Sequence, residues 1–179
     1  MLSNSSTRYG SASRVFHGLC GIAVIAALVF IEIKSYFPKG SDTRALMQYA
    51  HTQAGLCVLA LIVPRFLWRL NSQIPNIDPP LHRLMAVLSS SMHYVLYGLM
   101  LALPILGFLT IEAEGHSIAL FGMHLPTLVA ADPGLKKTLK SIHELLGNVM
   151  LYLVIVHVLA ALWHHFFIKD NTLTRMFGR

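Results

Sequence analysis

The chain has 179 residues, of which 55% are hydrophobic and only 12% charged, with a mean hydropathy of +0.59; soluble domains average about 25% charged residues. That balance excludes an ordinary soluble domain, and the length suits a single domain spanning 1–179. The net charge of +6 and pI near 9.6 would suit a nucleic-acid binder, but no basic run carries interleaved aromatics, so no nucleic-acid partner is expected and the basic residues read as flanks of membrane spans.

Four stretches contain no Asp, Glu, Lys or Arg: Val15 to Ile31, Ala45 to Pro64, Leu84 to Ile111 and Leu145 to Ile168. Crossing the hydrocarbon takes roughly 20 apolar residues, and a backbone without water must be helical. The fold class is therefore all-α, a membrane-embedded four-helix bundle, with transmembrane helices at about 14–36, 45–69, 84–110 and 140–168. The first span reaches Phe37 if Glu32 and Lys34 sit at the interface. It is not read as a cleaved leader, because no small-x-small pattern precedes Phe37 and His17 lies inside it.

The first connection, Phe37-Pro38-Lys39-Gly40-Ser41-Asp42, is a short turn-rich loop. The second, Asn71 to Pro80, carries three prolines and must be extended. The third, from Glu112 to Lys140, holds Gly115, Gly122, Pro126 and the turn signal Asp132-Pro133-Gly134, with the fourth helix starting from about Lys136. Long ordered loops are more often functional than idle. Four spans put both termini on one side. That side carries eight of the fourteen basic residues and the other side six, a bias that points to cytoplasmic termini in a multi-pass inner-membrane protein. Cys20 and Cys57 lie inside spans and read as small apolar filler.

Histidine is the unusual residue, with ten in the chain. Ionisable side chains in spans mark ligands or pathways. His143 and His157 lie 14 residues apart on the fourth helix, roughly 21 Å along its axis and about 40° short of four full turns. They project from nearly one face, one towards each side of the membrane, as two stacked metal centres would require. Gly147 between them leaves room for a flat macrocycle. Two imidazoles on one iron leave no open position, which suits electron transfer. His51 is level with His143. The partner of His157 is either His17 or His93, and spacing does not separate them.

The chain resembles the bacterial cytochrome b561 family, in its superoxide oxidase branch, from about Ser13 to Arg179. The residues that carry the likeness are the Phe37-Pro38 turn, Met47-Gln48-Tyr49-Ala50-His51, Pro64-Arg65-Phe66-Leu67-Trp68-Arg69-Leu70 and Ala102-Leu103-Pro104-Ile105-Leu106-Gly107. The most specific segment is His143-Glu144, Gly147-Asn148, His157, His164-His165-Phe166-Phe167-Ile168-Lys169-Asp170-Asn171-Thr172-Leu173 and Arg175-Met176. The resemblance implies a bundle enclosing two b haems, with ligands on helices one, two and four. It assigns His17 and His157 to the inner haem iron and His51 and His143 to the outer one. Gly18 departs from the tryptophan that follows the first ligand in relatives.

The resemblance further implies an enzyme, a superoxide:ubiquinone oxidoreductase, oxidising superoxide on the periplasmic side and reducing ubiquinone near the cytoplasmic side. His164 lies seven residues beyond His157, on the same helix face, where a polar ring can hydrogen-bond a quinone carbonyl and relay a proton. Arg65 and Arg69, one turn apart, and Ser13 and Arg14 are the other quinone-binding candidates. Lys136, Lys137 and Lys140 near His143 are candidates for attracting superoxide. Membrane lipid, ubiquinone and superoxide are the expected partners, with no obligate protein partner. The alternative is a cytochrome b subunit linking a periplasmic partner protein to the quinone pool. A haem-free metal transporter is a third reading, disfavoured because the spans lack acids.

Overall fold

The computed structural model describes residues 1–177. It contains four long helices: α1 (Ser11–Lys34), α2 (Asp42–Leu70), α3 (Arg83–Ala113) and α4 (Pro133–Trp163). A π-helical turn, His164–Ile168, continues α4, and a last short helix, α5 (Thr174–Phe177), closes the described chain. All four long helices are apolar and long enough to cross a membrane. Large hydrophobic residues such as Ile22, Val95, Tyr152 and Leu159 face outwards on them. An outward apolar surface of this extent is stable only against lipid.

Local chemistry sets the helix ends. The Ser41 hydroxyl caps α2 by accepting from the Arg44 amide. Asp132 caps α4 by accepting from the Gly134 and Leu135 amides, and Pro133 fills the first helical position. The fourth helix therefore begins ahead of both Lys136 and residue 140, because cap and proline together outrank the charge pattern that suggested a later start. At α1 no side chain caps the end. The N-terminal segment folds back instead, so the Ser11 and Ala12 amides donate to the Met1 and Leu2 carbonyls. A Cβ on Gly10 would lie 2.2 Å from the Leu2 carbonyl oxygen, so only glycine permits that return.

α1 pairs with α2 and α3 with α4, and α2 joins the two pairs. Cys20, Val24, Val58, Ile62, Leu99, Met100 and Met150 form the buried core, with every long helix contributing. Pro64 and Pro104 sit inside α2 and α3, as membrane helices tolerate when neighbours satisfy the freed carbonyls.

The two ends of the bundle are built differently. At the end bearing both termini, three segments are tied together. The Tyr9 amide donates to Arg175, that of Asn76 to Ser6, and that of Asn171 to Asp78, each at a carbonyl. The Arg175 guanidinium also donates to the Pro75 carbonyl at 2.5 Å. At the opposite, loop end, a two-stranded hairpin, β1 (Ala119–Leu120) and β2 (Met123–His124), lies within the α3–α4 connection. Buried Gln53 holds it: the amide nitrogen donates to Ala119 O at 2.9 Å and the amide oxygen accepts from Phe121 N at 3.0 Å. Buried Glu112 anchors the rest of the loop by accepting from the Leu128 and Val129 amides.

Candidate functional site

The four histidines singled out from the sequence fall into two facing pairs. The ring centroids of His51 and His143 are 6.1 Å apart with planes at 86°. Those of His17 and His157 are 6.3 Å apart at 72°. Metal–imidazole nitrogen bonds are about 2 Å long. A ring nitrogen lies roughly 1 Å from its ring centre, so two imidazoles on opposite sides of one metal have centroids about 6 Å apart. Both pairs meet that span before any metal is considered.

The loop-end pair is also oriented for ligation. His51 Nδ1 donates to the Ala27 carbonyl at 2.8 Å, which fixes its tautomer and leaves Nε2 unprotonated, as a metal ligand must be. A Cβ on Gly107 would come within 3.0 Å of His143 Cε1, so the glycine makes room for that ring. A Cβ on Gly55 or Gly147 would meet nothing within 4 Å. Each follows a loop-end histidine by four residues, leaving open space beside α2 and α4 between the two levels.

The terminal-end pair carries an additional contact. Arg65 Nη2 donates to His17 Nδ1 at 3.1 Å, which leaves this ring's own proton on Nε2, so metal ligation through Nε2 would require that contact to give way, and Arg65 Nε donates to the Tyr97 hydroxyl at 3.2 Å. Arg65 and Arg69 both lie over the Tyr97 ring. His93 is close as well, its centroid 5.4 Å from that of His157. That separation is too short for a metal held linearly between two imidazoles. His93 Nδ1 donates to the Ser89 carbonyl at 2.6 Å, a bond within its own helix.

Among the remaining candidates, Ser13 donates to Asn4 Oδ1 at 2.7 Å and accepts from Trp68 Nε1 at 3.0 Å. Arg14 donates to the Phe177 carbonyl at 3.1 Å. Both side chains are thus committed to tying the terminal end. His164 makes a different contact: its Nδ1 lies 2.5 Å from a carboxylate oxygen of Asp170, whose side chain is fully buried. Burial alone would push the Asp170 carboxyl up, but hydrogen bonds from His164 and Thr172 outweigh it and hold the group below the usual carboxylate range. At the loop end, Lys136 is paired with Glu114, and Lys140 lies 3.8 Å from Glu144. Lys137 has no ion pair among the described residues. Lys34, within electrostatic reach of Arg44 and Lys140, adds a basic group at this end that the sequence reading did not single out. It also missed Asp170, Gln53 and Tyr97, whose partners lie far off in sequence or beyond a chain reversal.

Residues 8–179 match the family described as prokaryotic cytochrome b561. Over 172 residues the chain is 34% identical to cytochrome b561 homolog 1 of Escherichia coli (strain K12), covering 96% of this chain and 98% of that protein. It is 34% identical over 169 residues to probable superoxide oxidase CybB of Yersinia pestis, covering 94% and 95%. Cytochrome b561 homolog 2 of the same E. coli strain is 31% identical over 180 residues, covering 98% and 94%.

Proposed function

The chain belongs to the prokaryotic cytochrome b561 family of membrane electron-transfer proteins, which bind b-type haem, and on that premise we propose that it oxidises superoxide at its loop end and reduces ubiquinone at its terminal end. The observation that carries the reading is the pair of His–His spans of 6.1 and 6.3 Å at two levels of one bundle. His51 and His143 would hold the loop-end haem, and His17 and His157 the terminal-end haem. The open space beside Gly55 and Gly147 fits a bound macrocycle. When bound, each haem would supply reversible one-electron chemistry, with these histidines as the residues that would hold it.

The chain's own residues supply the rest. In the balanced reaction, two superoxide anions each lose one electron and become dioxygen, while one ubiquinone takes up two electrons and two protons and becomes ubiquinol. Lys34, Lys137 and Lys140 provide a local positive field for a small anion. His164 presents its ring to the quinone carbonyl, on the same face of α4 as His157. The basic bias of the terminal end supports a cytoplasmic position for it, the side from which the protons would be drawn. One relative named a probable superoxide oxidase supports this substrate choice.

The test uses the purified, haem-loaded chain in liposomes containing ubiquinone. Superoxide should produce the bands of reduced b-type haem, and ubiquinol should accumulate at one per two superoxide consumed. Reduction that demands a second polypeptide, or haem reduction with no ubiquinol, overturns the reading.

A further inference from the structure

The chain leaves the membrane through an unusual device. α4 does not simply stop. Residues His164–Ile168 widen into a π-helical turn, and Lys169 then adopts φ 60°, ψ 34°. That left-handed conformation is uncommon for a residue with a side chain. It reverses the chain so that Asp170, six residues after His164, returns beneath the imidazole. π-turns of this kind frequently sit at functional sites. The Asp170 carboxylate divides its oxygens: one accepts from His164 Nδ1 at 2.5 Å and the other from the Thr172 amide at 2.8 Å.

Burial makes this pair distinctive. The Asp170 side chain is wholly excluded from solvent, while that of His164 retains 17% exposure. A carboxylate accepts only, so the shared proton resides on Nδ1, and the remaining ring nitrogen, Nε2, is left free for another partner. On the far side, Asp170 borders a polar cleft of about 500 Å³ formed by all three tied segments, with Arg8, Asp78, His165, Lys169 and Arg175 around it. The cleft is large enough for several waters.

We propose that Asp170 is the positioning residue for His164, fixing its tautomer and aim so that Nε2 exchanges protons with the quinone oxygen. This rests on the placement of the quinone at His164. For each quinone reduced, two electrons come from the superoxide side and two protons cross from the cytoplasm. Nε2 first takes up a proton that comes in from cytoplasmic water, the doubly protonated ring being held by the Asp170 carboxylate, and then gives it to a quinone oxygen, so the ring carries no net change over a turnover. Asp170 stays ionised throughout, holding the ring in place as the carboxylate of a Ser-His-Asp triad holds its histidine.

The test uses the holoprotein in ubiquinone-containing liposomes, with Asp170→Asn and His164→Asn. The amide introduced by Asp170→Asn keeps an acceptor for the Thr172 amide, but its NH2 group faces Nδ1 and drives the ring proton to Nε2. Expected are unchanged haem spectra, a kcat for ubiquinol formation lower by about 100-fold, a KM within a few-fold of the parent, and an altered pH profile. Nitrogen-15 spectra of histidine-labelled protein, with His164 identified by its loss in His164→Asn, should show Nδ1 protonated in the parent and Nε2 protonated in Asp170→Asn. A parent His164 lacking a proton on Nδ1 overturns the proposal, and that measurement stands even if Asp170→Asn does not fold. Impaired His164→Asn beside a fully active Asp170→Asn, with the parent pH profile, also overturns it. Normal quinone reduction by His164→Asn instead removes the quinone from this histidine, a failure of the underlying placement.

Discussion

His51 donates its Nδ1 proton to the Ala27 carbonyl at 2.8 Å, a bond that crosses from α2 to α1 inside the bundle. Backbone carbonyls of helices are normally spent on their own helix, so this contact fixes ring orientation through a group that mutation cannot remove. The ring then faces His143 at 6.1 Å. His143→Ala should therefore lose the loop-end haem and keep most of the other, taking a pyridine-haemochrome count from two haems per chain to one. His93→Ala should keep both, because its 5.4 Å approach to His157 leaves no space for a metal. Two haems in His143→Ala, or one in His93→Ala, would displace these ligands.

The four spans and the candidate histidines are legible because both depend on local pattern. Apolar runs free of charge give the helices, and histidines 14 residues apart on one run share a face. The choice between His17 and His93 is not legible from spacing, because it turns on an ångström of ring separation. The lysines pull the expected start of α4 too far along the chain, although Asp132-Pro133 carries the cap signal. Asp170 is legible only as part of a motif. Its contact with His164 requires a left-handed Lys169, a conformation for which sequence offers no cue without a glycine. Gln53 reaches Ala119 and Phe121 across more than sixty residues, a distance over which no period operates.

Gln53 is 8% exposed, with both ends of its amide bonded to the hairpin. Gln53→Leu would leave the Phe121 amide and the Ala119 carbonyl without their partner, at a cost of about 1–3 kcal/mol. The loss should be local. Hydrogen exchange should speed up at residues 119–124 while the α1 and α2 amides keep their protection. Unchanged protection at Phe121 would show that the hairpin holds itself.

The loop-end lysines should differ in effect. The hydrogen bond from Lys136 holds the Glu114 carboxyl below its ordinary range, and the paired charges largely cancel at a distance. Lys137 has no such partner among the described residues, and Lys140 meets Glu144 only at 3.8 Å with both side chains mostly exposed. Lys137→Glu with Lys140→Glu should slow haem reduction by superoxide roughly threefold to tenfold and flatten its dependence on ionic strength. Lys136→Ala should do less. Equal effects from all three would mean that Glu114 does not neutralise Lys136.

Acid should loosen the tail at a defined group. The Asp170 carboxyl lies below its ordinary range: burial opposes this, and the His164 and Thr172 hydrogen bonds outweigh burial. A carboxyl lowered on folding stabilises fully above its unfolded pKa of about 4, and that contribution disappears as the pH falls through the folded value. Hydrogen exchange of residues 169–177, corrected for intrinsic rates, should therefore rise below about pH 4 in the parent. In Asp170→Asn the amides should exchange faster at neutral pH with no further step in acid. A step that persists in the variant assigns the titration to another group.

Gly107 offers the narrowest test of the loop-end site. A Cβ there would stand 3.0 Å from His143 Cε1 and 3.4 Å from Nδ1. The approach is closer than ordinary packing, and the obstacle is a ring whose aim is the function, not a flexible side chain that can swing aside. Gly107→Ala must push the imidazole along α4 or towards His51, and overpacking of this kind typically costs about 1–3 kcal/mol. With this ring as the proposed loop-end ligand, the strain should appear as weakened haem retention at the loop end and a changed low-spin signal in electron paramagnetic resonance. The terminal-end signal should be unmoved, and the helix content preserved. Gly107→Val should be worse than Gly107→Ala in proportion to its bulk. If both variants keep the parent spectrum and two haems per chain, His143 has slack that the close approach to Gly107 denies, and the loop-end site is built less tightly than its geometry requires.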